Sequence, residues 1–75
     1  MKSWEPFIVI DSEIRFGKPC ISGTRISVAD ILGFLASGLT YEDIISDFPQ
    51  LNKEQILAAL AFAADKESTT RIIAA

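Results

Sequence analysis

Three groups of side chains in this sequence are of types that could do chemistry. Glu42, Asp43 and Asp47 bring three carboxylates close together, with Asp43 and Asp47 one helical turn apart. Such a pair can share a metal ion or divide acid and base roles. Cys20 follows Lys18 by two residues, and a nearby cation favours the nucleophilic thiolate. Gly17-Lys18-Pro19 and Ser22-Gly23-Thr24 have the composition of a phosphate-cradling loop. Each group lacks something its chemistry needs. The carboxylates have no nucleophile or further ligand set beside them and read as a solvated face with mild like-charge repulsion. Cys20 has no base or orienting group and reads as a small core thiol. The glycine stretches miss the G-x-x-x-x-G-K-S/T spacing and the parallel-sheet unit that holds it. The sequence has no His, which removes imidazole acid-base catalysis and His metal ligation. The expectation is a protein that is not an enzyme, with no metal, no cofactor and no small-molecule substrate.

Binding residues are the better candidates. Asn52, Lys53 and Gln55 stand at the start of a helix that a short turn, Pro49 to Leu51, separates from the helix before it. In a helix-turn-helix the second helix presents its first residues to base edges. Asn and Gln can bridge adenine, and Lys can reach guanine or phosphate. Ala58 falls on the outward side in this reading, and Arg25, Arg15 and Lys18 are candidate phosphate contacts. The bland alternative is that Asn52 and Gln55 are a helix cap. Charge also weighs against DNA: the net charge is -3, and residues 27–75 carry three positive side chains against seven negative ones. A nucleic-acid binder normally shows a basic stripe, because phosphate contacts supply most of its non-specific affinity. For a protein interface the candidates are Phe62, Leu57, Phe34, Trp4 and Phe7, more large apolar side chains than one small core obviously needs.

The elements that position these residues are announced by one repeated device. Ser27, Thr40 and Asn52 each stand where a cap belongs, with Asp30, Asp43 and Gln55 three residues on. Ile26, Leu39 and Leu51 precede the caps, and Ile31, Ile44 and Ile56 close the hydrophobic staple. Helices are predicted over about 28–37, 41–47 and 53–66. Gly38 should end the first and Pro49 the second. On the third helix Ile56, Ala59, Leu60 and Ala63 form the expected core stripe. Phe62 falls roughly 120° from Ile56, and the polar arc narrows to Glu54, Ala58, Ala61 and Asp65. Upstream, residues 7–22 form a β segment: Phe7 to Ile10 and Ile14 to Phe16 as a hairpin, or a segment swapped with a second copy, and Cys20-Ile21 as a third extended piece. After residue 66, Ser68-Thr69-Thr70 reads as a break and Arg71-Ile72-Ile73 as a final strand or docking segment.

Seventy-five residues, 49% of them hydrophobic, form one domain spanning 1–75. A chain this short buries only about 60% of its unfolded surface, so the apolar third helix argues for a homodimer. One cysteine cannot make an internal disulfide, no signal-peptide pattern marks the N-terminus, and Ile56 to Ala64 is too short for a bilayer. The expected location is cytoplasmic, with no membrane partner.

The stretch G-K-P-C-I-S-G-T-R-I-S-V, followed by L-A-S-G-L-T-Y-E-D-I-I-S-D-F-P-Q-L-N-K-E-Q-I, resembles the DUF433 family of small prokaryotic proteins over Ile14 to Asp65. The resemblance implies a mainly α, three-helix, homeodomain-like fold related to winged helices, and a tendency to dimerise. It implies that Gly17-Lys18-Pro19 and Gly23-Thr24-Arg25 are signature loops holding the β part against the first helix. Arg25 would either ion-pair with an acidic helix residue or contact a partner, and the third helix would stand as the recognition helix. The implied function is an antitoxin-like protein that neutralises a PIN-like ribonuclease toxin, with weak operator DNA binding. A stand-alone helix-turn-helix transcriptional regulator is the alternative.

Overall fold

In a computed structural model, which describes the backbone of residues 2–74 and the side chains of residues 2–66, all three predicted helix starts are closed reciprocally. Ser27 Oγ accepts from the Asp30 N–H (2.9 Å) while Asp30 Oδ2 accepts from the Ser27 N–H (3.1 Å). Thr40 and Asp43 exchange bonds of 3.1 and 2.9 Å, and Asn52 and Gln55 bonds of 2.9 and 2.8 Å. The staple residue on the helical side is fully buried each time, at Ile31, Ile44 and Ile56. One local device therefore starts α1 (Val28–Ala36), α2 (Tyr41–Asp47) and α3 (Lys53–Ala74) and turns the same face of each inward.

The helices stop for equally local reasons. Gly38, at φ +100, lets its N–H reach the Leu35 carbonyl (3.0 Å) and the Leu39 N–H reach that of Phe34 (3.1 Å), the paired bonds of a Schellman cap. Phe48 ends α2 at φ -128, ψ 81, because the following Pro49 disfavours helical geometry in the residue before it. α3 differs from expectation. It is helical straight through Ser68-Thr69-Thr70, where residues that compete for backbone hydrogen bonds were read as a break; their propensity penalty is only a few tenths of a kcal/mol each, about the scale of ordinary residue differences. The side chains of Arg71-Ile72-Ile73 lie outside the described residues, and with them the docking role expected there.

Ahead of the helices, β1 (Ile8–Val9) and β2 (Cys20–Ile21) pair antiparallel, Ile8 with Ile21 and Val9 with Cys20. The expected strand at Ile14 to Phe16 does not form. Asp11 starts a turn instead, its carboxylate accepting from the Glu13 N–H (2.9 Å) and its carbonyl from the Ile14 N–H (2.9 Å). Arg15–Gly17 then make a 3-10 turn with Arg15, Phe16 and Gly17 at φ 52, 58 and 84. The long-range partners of Arg15, described below, override the β preference of this short apolar run.

The core joins these parts: Ile8 and Ile21 from the sheet, Ile26, Val28 and Ile31 around the start of α1, Ile44 from α2, Leu51, and Ile56, Ala59 and Phe62 from α3. Two α3 residues placed off the core stripe by the sequence, Ala58 and Phe62, are buried. A second neighbour covers that flank: the N-terminal segment folds onto it, with the Trp4 ring 4.8 Å from that of Phe62 at 84°, an edge-to-face arrangement. Lys2 Nζ reaches Asp65 Oδ1 at 3.2 Å farther along the same helix.

Candidate protein-interaction site

α2, the turn at Pro49 and α3 have the connectivity of a helix-turn-helix, but the side chains meant for base edges are engaged elsewhere. Asn52 and Gln55 bond to each other's backbone as the cap of α3. Lys53 is exposed, with its ammonium 5.9 Å from the Tyr41 ring centroid, a cation–π distance. Ala58, read as outward, is buried. Among the phosphate candidates Lys18 and Arg25 are exposed, whereas Arg15 is half-buried. Its guanidinium donates to the Arg25 carbonyl (2.8 Å) and to Asp30 Oδ2 (3.0 Å).

The structural ion pair to the first helix belongs to Arg15, and Arg25 contributes its carbonyl. Asp30 thus serves the Ser27 N–H and the Arg15 guanidinium at once. The backbone hydrogen bond from Ser27 is the main cause that holds the Asp30 carboxyl below its usual value; burial works against this, and Arg15 adds to the lowering.

The five interface candidates separate. Phe62 is core, only 4% exposed. Trp4 is half-buried against it, with its indole N–H buried and unpaired. Phe34 is half-buried and stacks on Phe48, ring centroids 5.3 Å apart. Phe7 is half-buried and packs against the core, and Leu57 is exposed. With Ser3, Glu54, Ala58 and Ala61 they line a hollow of about 350 Å³ between the N-terminal segment and α3, in which Leu57 is 45% exposed. Glu54 on its rim, and Glu42, Asp43 and Asp47 on α2, are exposed carboxylates. Sequence reasoning missed two exposed apolar side chains, Ile10 and Phe16, both on the β1–β2 connection; the apolar runs Phe7 to Ile10 and Ile14 to Phe16 contain them, and both runs point to strands.

A second groove, of about 330 Å³, lies between α1 and α3 and is lined by Pro19, Val28, Ala29, Leu32, Phe62, Ala63 and Lys66. Cys20 is a buried free thiol. Among the described residues no three His, Cys, Asp or Glu side chains are grouped to hold a metal ion, and no helix is long and apolar enough to cross a membrane.

A family model described as "Protein of unknown function (DUF433)" matches residues 8–63. The chain belongs to the DUF433 family. The crystal structure of a DUF433 member protein from Anabaena variabilis ATCC 29413 is 26% identical and superposes with a TM-score of 0.75, covering 92% of this chain and 69% of that one. No functionally curated protein matches the sequence.

In this DUF433 protein Gly17-Lys18-Pro19 and Gly23-Thr24-Arg25 both take part in hydrogen bonds that tie the β part to the start of α1. The Val28 N–H donates to the Pro19 carbonyl (2.9 Å) and the Ile21 N–H to that of Ile26 (2.9 Å). Thr24 Oγ1 donates to the Ile21 carbonyl (2.9 Å) and accepts from the Ile26 N–H (3.0 Å). Gly23 makes the turn at φ +82, a conformation that costs glycine little and other residues more.

Proposed function

We propose that this protein is a non-catalytic, antitoxin-like protein that binds and neutralises a ribonuclease toxin of PIN-like type. The observation that carries the reading is the hollow lined by Phe7, Leu57 and Glu54 between the N-terminal segment and α3. A ribonuclease needs a basic surface to hold RNA. A largely apolar hollow with the Glu54 carboxylate in its lining accepts an apolar side chain from such a surface, while the exposed carboxylates of Glu54, Glu42, Asp43 and Asp47 speed encounter and exclude acidic partners. The commitment of Asn52 and Gln55 to the α3 cap favours a protein partner over base reading. Lys53, with Lys18 and Arg25, supplies the weak operator contacts that remain.

The test is to isolate the tagged protein from its native cell, identify a bound nuclease, and measure RNA cleavage with and without this protein. Inhibition that falls at least tenfold in the double variant Glu54→Lys, Leu57→Asp is the expected result. Nanomolar, sequence-specific binding to its own upstream DNA at stated salt, with no nuclease bound, would replace the antitoxin reading with a stand-alone regulator.

A further inference from the structure

We propose that the α3 face formed by Ala58, Ala61, Phe62 and Asp65 is a docking site for a partner segment carrying a cation and an aromatic ring two residues apart. The chain's own Lys2-Ser3-Trp4 occupies that face until such a segment displaces it. This deepens the antitoxin reading, because a surface that holds RNA is rich in cations, and it rests on that reading only for the identity of the partner.

The segment already seated there shows what the face takes. Trp4 meets the Phe62 ring edge to face with centroids 4.8 Å apart, and Lys2 Nζ reaches Asp65 Oδ1 at 3.2 Å. Residues 58, 61, 62 and 65 follow the spacing of a single helix face. The two alanines keep that face shallow, so a large ring can lie over the helix and pack on Phe62. Asp65, one turn beyond Phe62, then matches a cation two residues before the ring.

For a segment that covers a core ring, this one is lightly held. Among the described residues no backbone hydrogen bond joins residues 2–6 to α3. Their bonds close a turn of their own: the Lys2 N–H donates to Glu5 Oε1 (2.9 Å), the Glu5 N–H to the Lys2 carbonyl (3.1 Å), and the Trp4 carbonyl accepts from the N–H groups of Phe7 (2.9 Å) and Ile8 (3.1 Å). The Lys2–Asp65 pair is 58% and 35% exposed, so solvent screens it. Trp4 Nε1 is buried with no hydrogen-bond partner, a cost that release into water removes. The hollow of about 350 Å³ that Ser3 and Phe7 share with Leu57 and Ala61 shows that the cover does not fill the space against α3.

Release leaves the remainder of the fold in place. The Phe7 carbonyl accepts from the Ser22 N–H (2.8 Å), beside the paired strands, and the buried cluster draws its members from Ile8 onward. Water replaces the two bonds at the Trp4 carbonyl. A short tether gives an effective concentration of about 1 mM, so weak contacts suffice to keep the segment seated in the free protein, and a partner segment that fits better takes its place.

The test adds the segment back in trans. The acetylated peptide Lys2 to Phe7 is titrated into the isotope-labelled full chain and amide shifts are followed, up to about 5 mM, just above the concentration that the tether supplies. Trp4→Ala, which empties the face, should bind the peptide at least tenfold more tightly than wild type, with the shifts gathered at Ala58, Ala61, Phe62 and Asp65. Lys2→Glu in the peptide weakens binding about two- to fivefold, the range an exposed ion pair allows, and Asp65→Lys in the Trp4→Ala protein reverses that preference. Lys2→Glu in the protein is the second variant; it loosens the seated segment, keeps Trp4, and should bind the unaltered peptide more tightly than wild type. Trp4→Ala that keeps its far-ultraviolet dichroism yet shows no saturable shift on this face, or two variants that bind no better than wild type, overturns the proposal. No nuclease enters these titrations, so failure to find one overturns the antitoxin reading alone, and failure of the peptide to bind overturns this proposal alone.

Discussion

Removing the Asp30 carboxylate tests how the β segment and α1 are held together. In Asp30→Ala the Ser27 N–H, in a residue only 1% exposed, loses its acceptor at 3.1 Å; an unsatisfied buried donor costs about 1 to 2 kcal/mol. The Arg15 ion pair, at 3.0 Å and about one-third exposed on each side, adds only about 0.5 kcal/mol because solvent screens it. The sum, about 2 kcal/mol, is a large part of the roughly 4 to 11 kcal/mol expected for 75 residues, and lowers Tm by roughly 10 °C. The effect should depend on pH in one direction. The folded-state pKa of Asp30 is lowered from 3.8, so the stability it contributes is fully present above that value and is lost as pH falls through the lower, folded value. Urea unfolding of wild type and Asp30→Ala at pH 7 and at about pH 2.5 measures both terms. Arg15→Ala completes a double-mutant cycle with a coupling under about 1 kcal/mol. A gap below about 0.5 kcal/mol at pH 7, or a gap of unchanged size at low pH, would refute the reasoning, since the first is what an ordinary surface residue gives.

Two further outcomes are read from denaturant midpoints. Phe62→Ala should cost about 3 to 5 kcal/mol, because it empties the core and strips the ring that Trp4 packs on, whereas Leu57→Ala stays within about 0.5 kcal/mol; equal losses would mean that the two flanks of α3 have been confused. Gly33→Ala, inside α1 with nothing within 4 Å of the added Cβ, should stabilise by about 0.8 kcal/mol, while Gly38→Ala, at φ +100, destabilises by more than that; a shift of the same sign at both positions would contradict this account of the α1 end.

The parts legible in the sequence are those whose causes are local. A cap and its partner three residues on lie within one turn, so Ser27, Thr40 and Asn52 announced three helices and their inward faces without any knowledge of packing. Gly38 and Pro49 announced their ends in the same way. Ile14 to Phe16 misled because strand preference mostly reflects fit to a neighbouring surface. What fixes this segment is an arginine whose carboxylate partner lies fifteen positions away, and no period or propensity reports that. Phe62 misled for a related reason. A helical wheel centred on Ile56 assumes one neighbouring surface, whereas α3 packs on α1 and α2 and is covered on a further flank by the N-terminal segment.

The N-terminal segment also explains why half of the candidate interface dissolved while the case for partners did not. Folding Trp4 and Phe7 onto α3 covers Phe62 and Ala58, so most of the helix that looked too apolar for a monomer is satisfied within one chain. Among the described residues, what stays uncovered is smaller and divided: Leu57 in the hollow beside Glu54, and Phe16 and Ile10 on the β1–β2 connection. The two surfaces differ in character. The first is concave, with the Glu54 carboxylate in its lining, suited to receive a side chain from a basic protein; the second is a projection fixed by the turn at Arg15–Gly17.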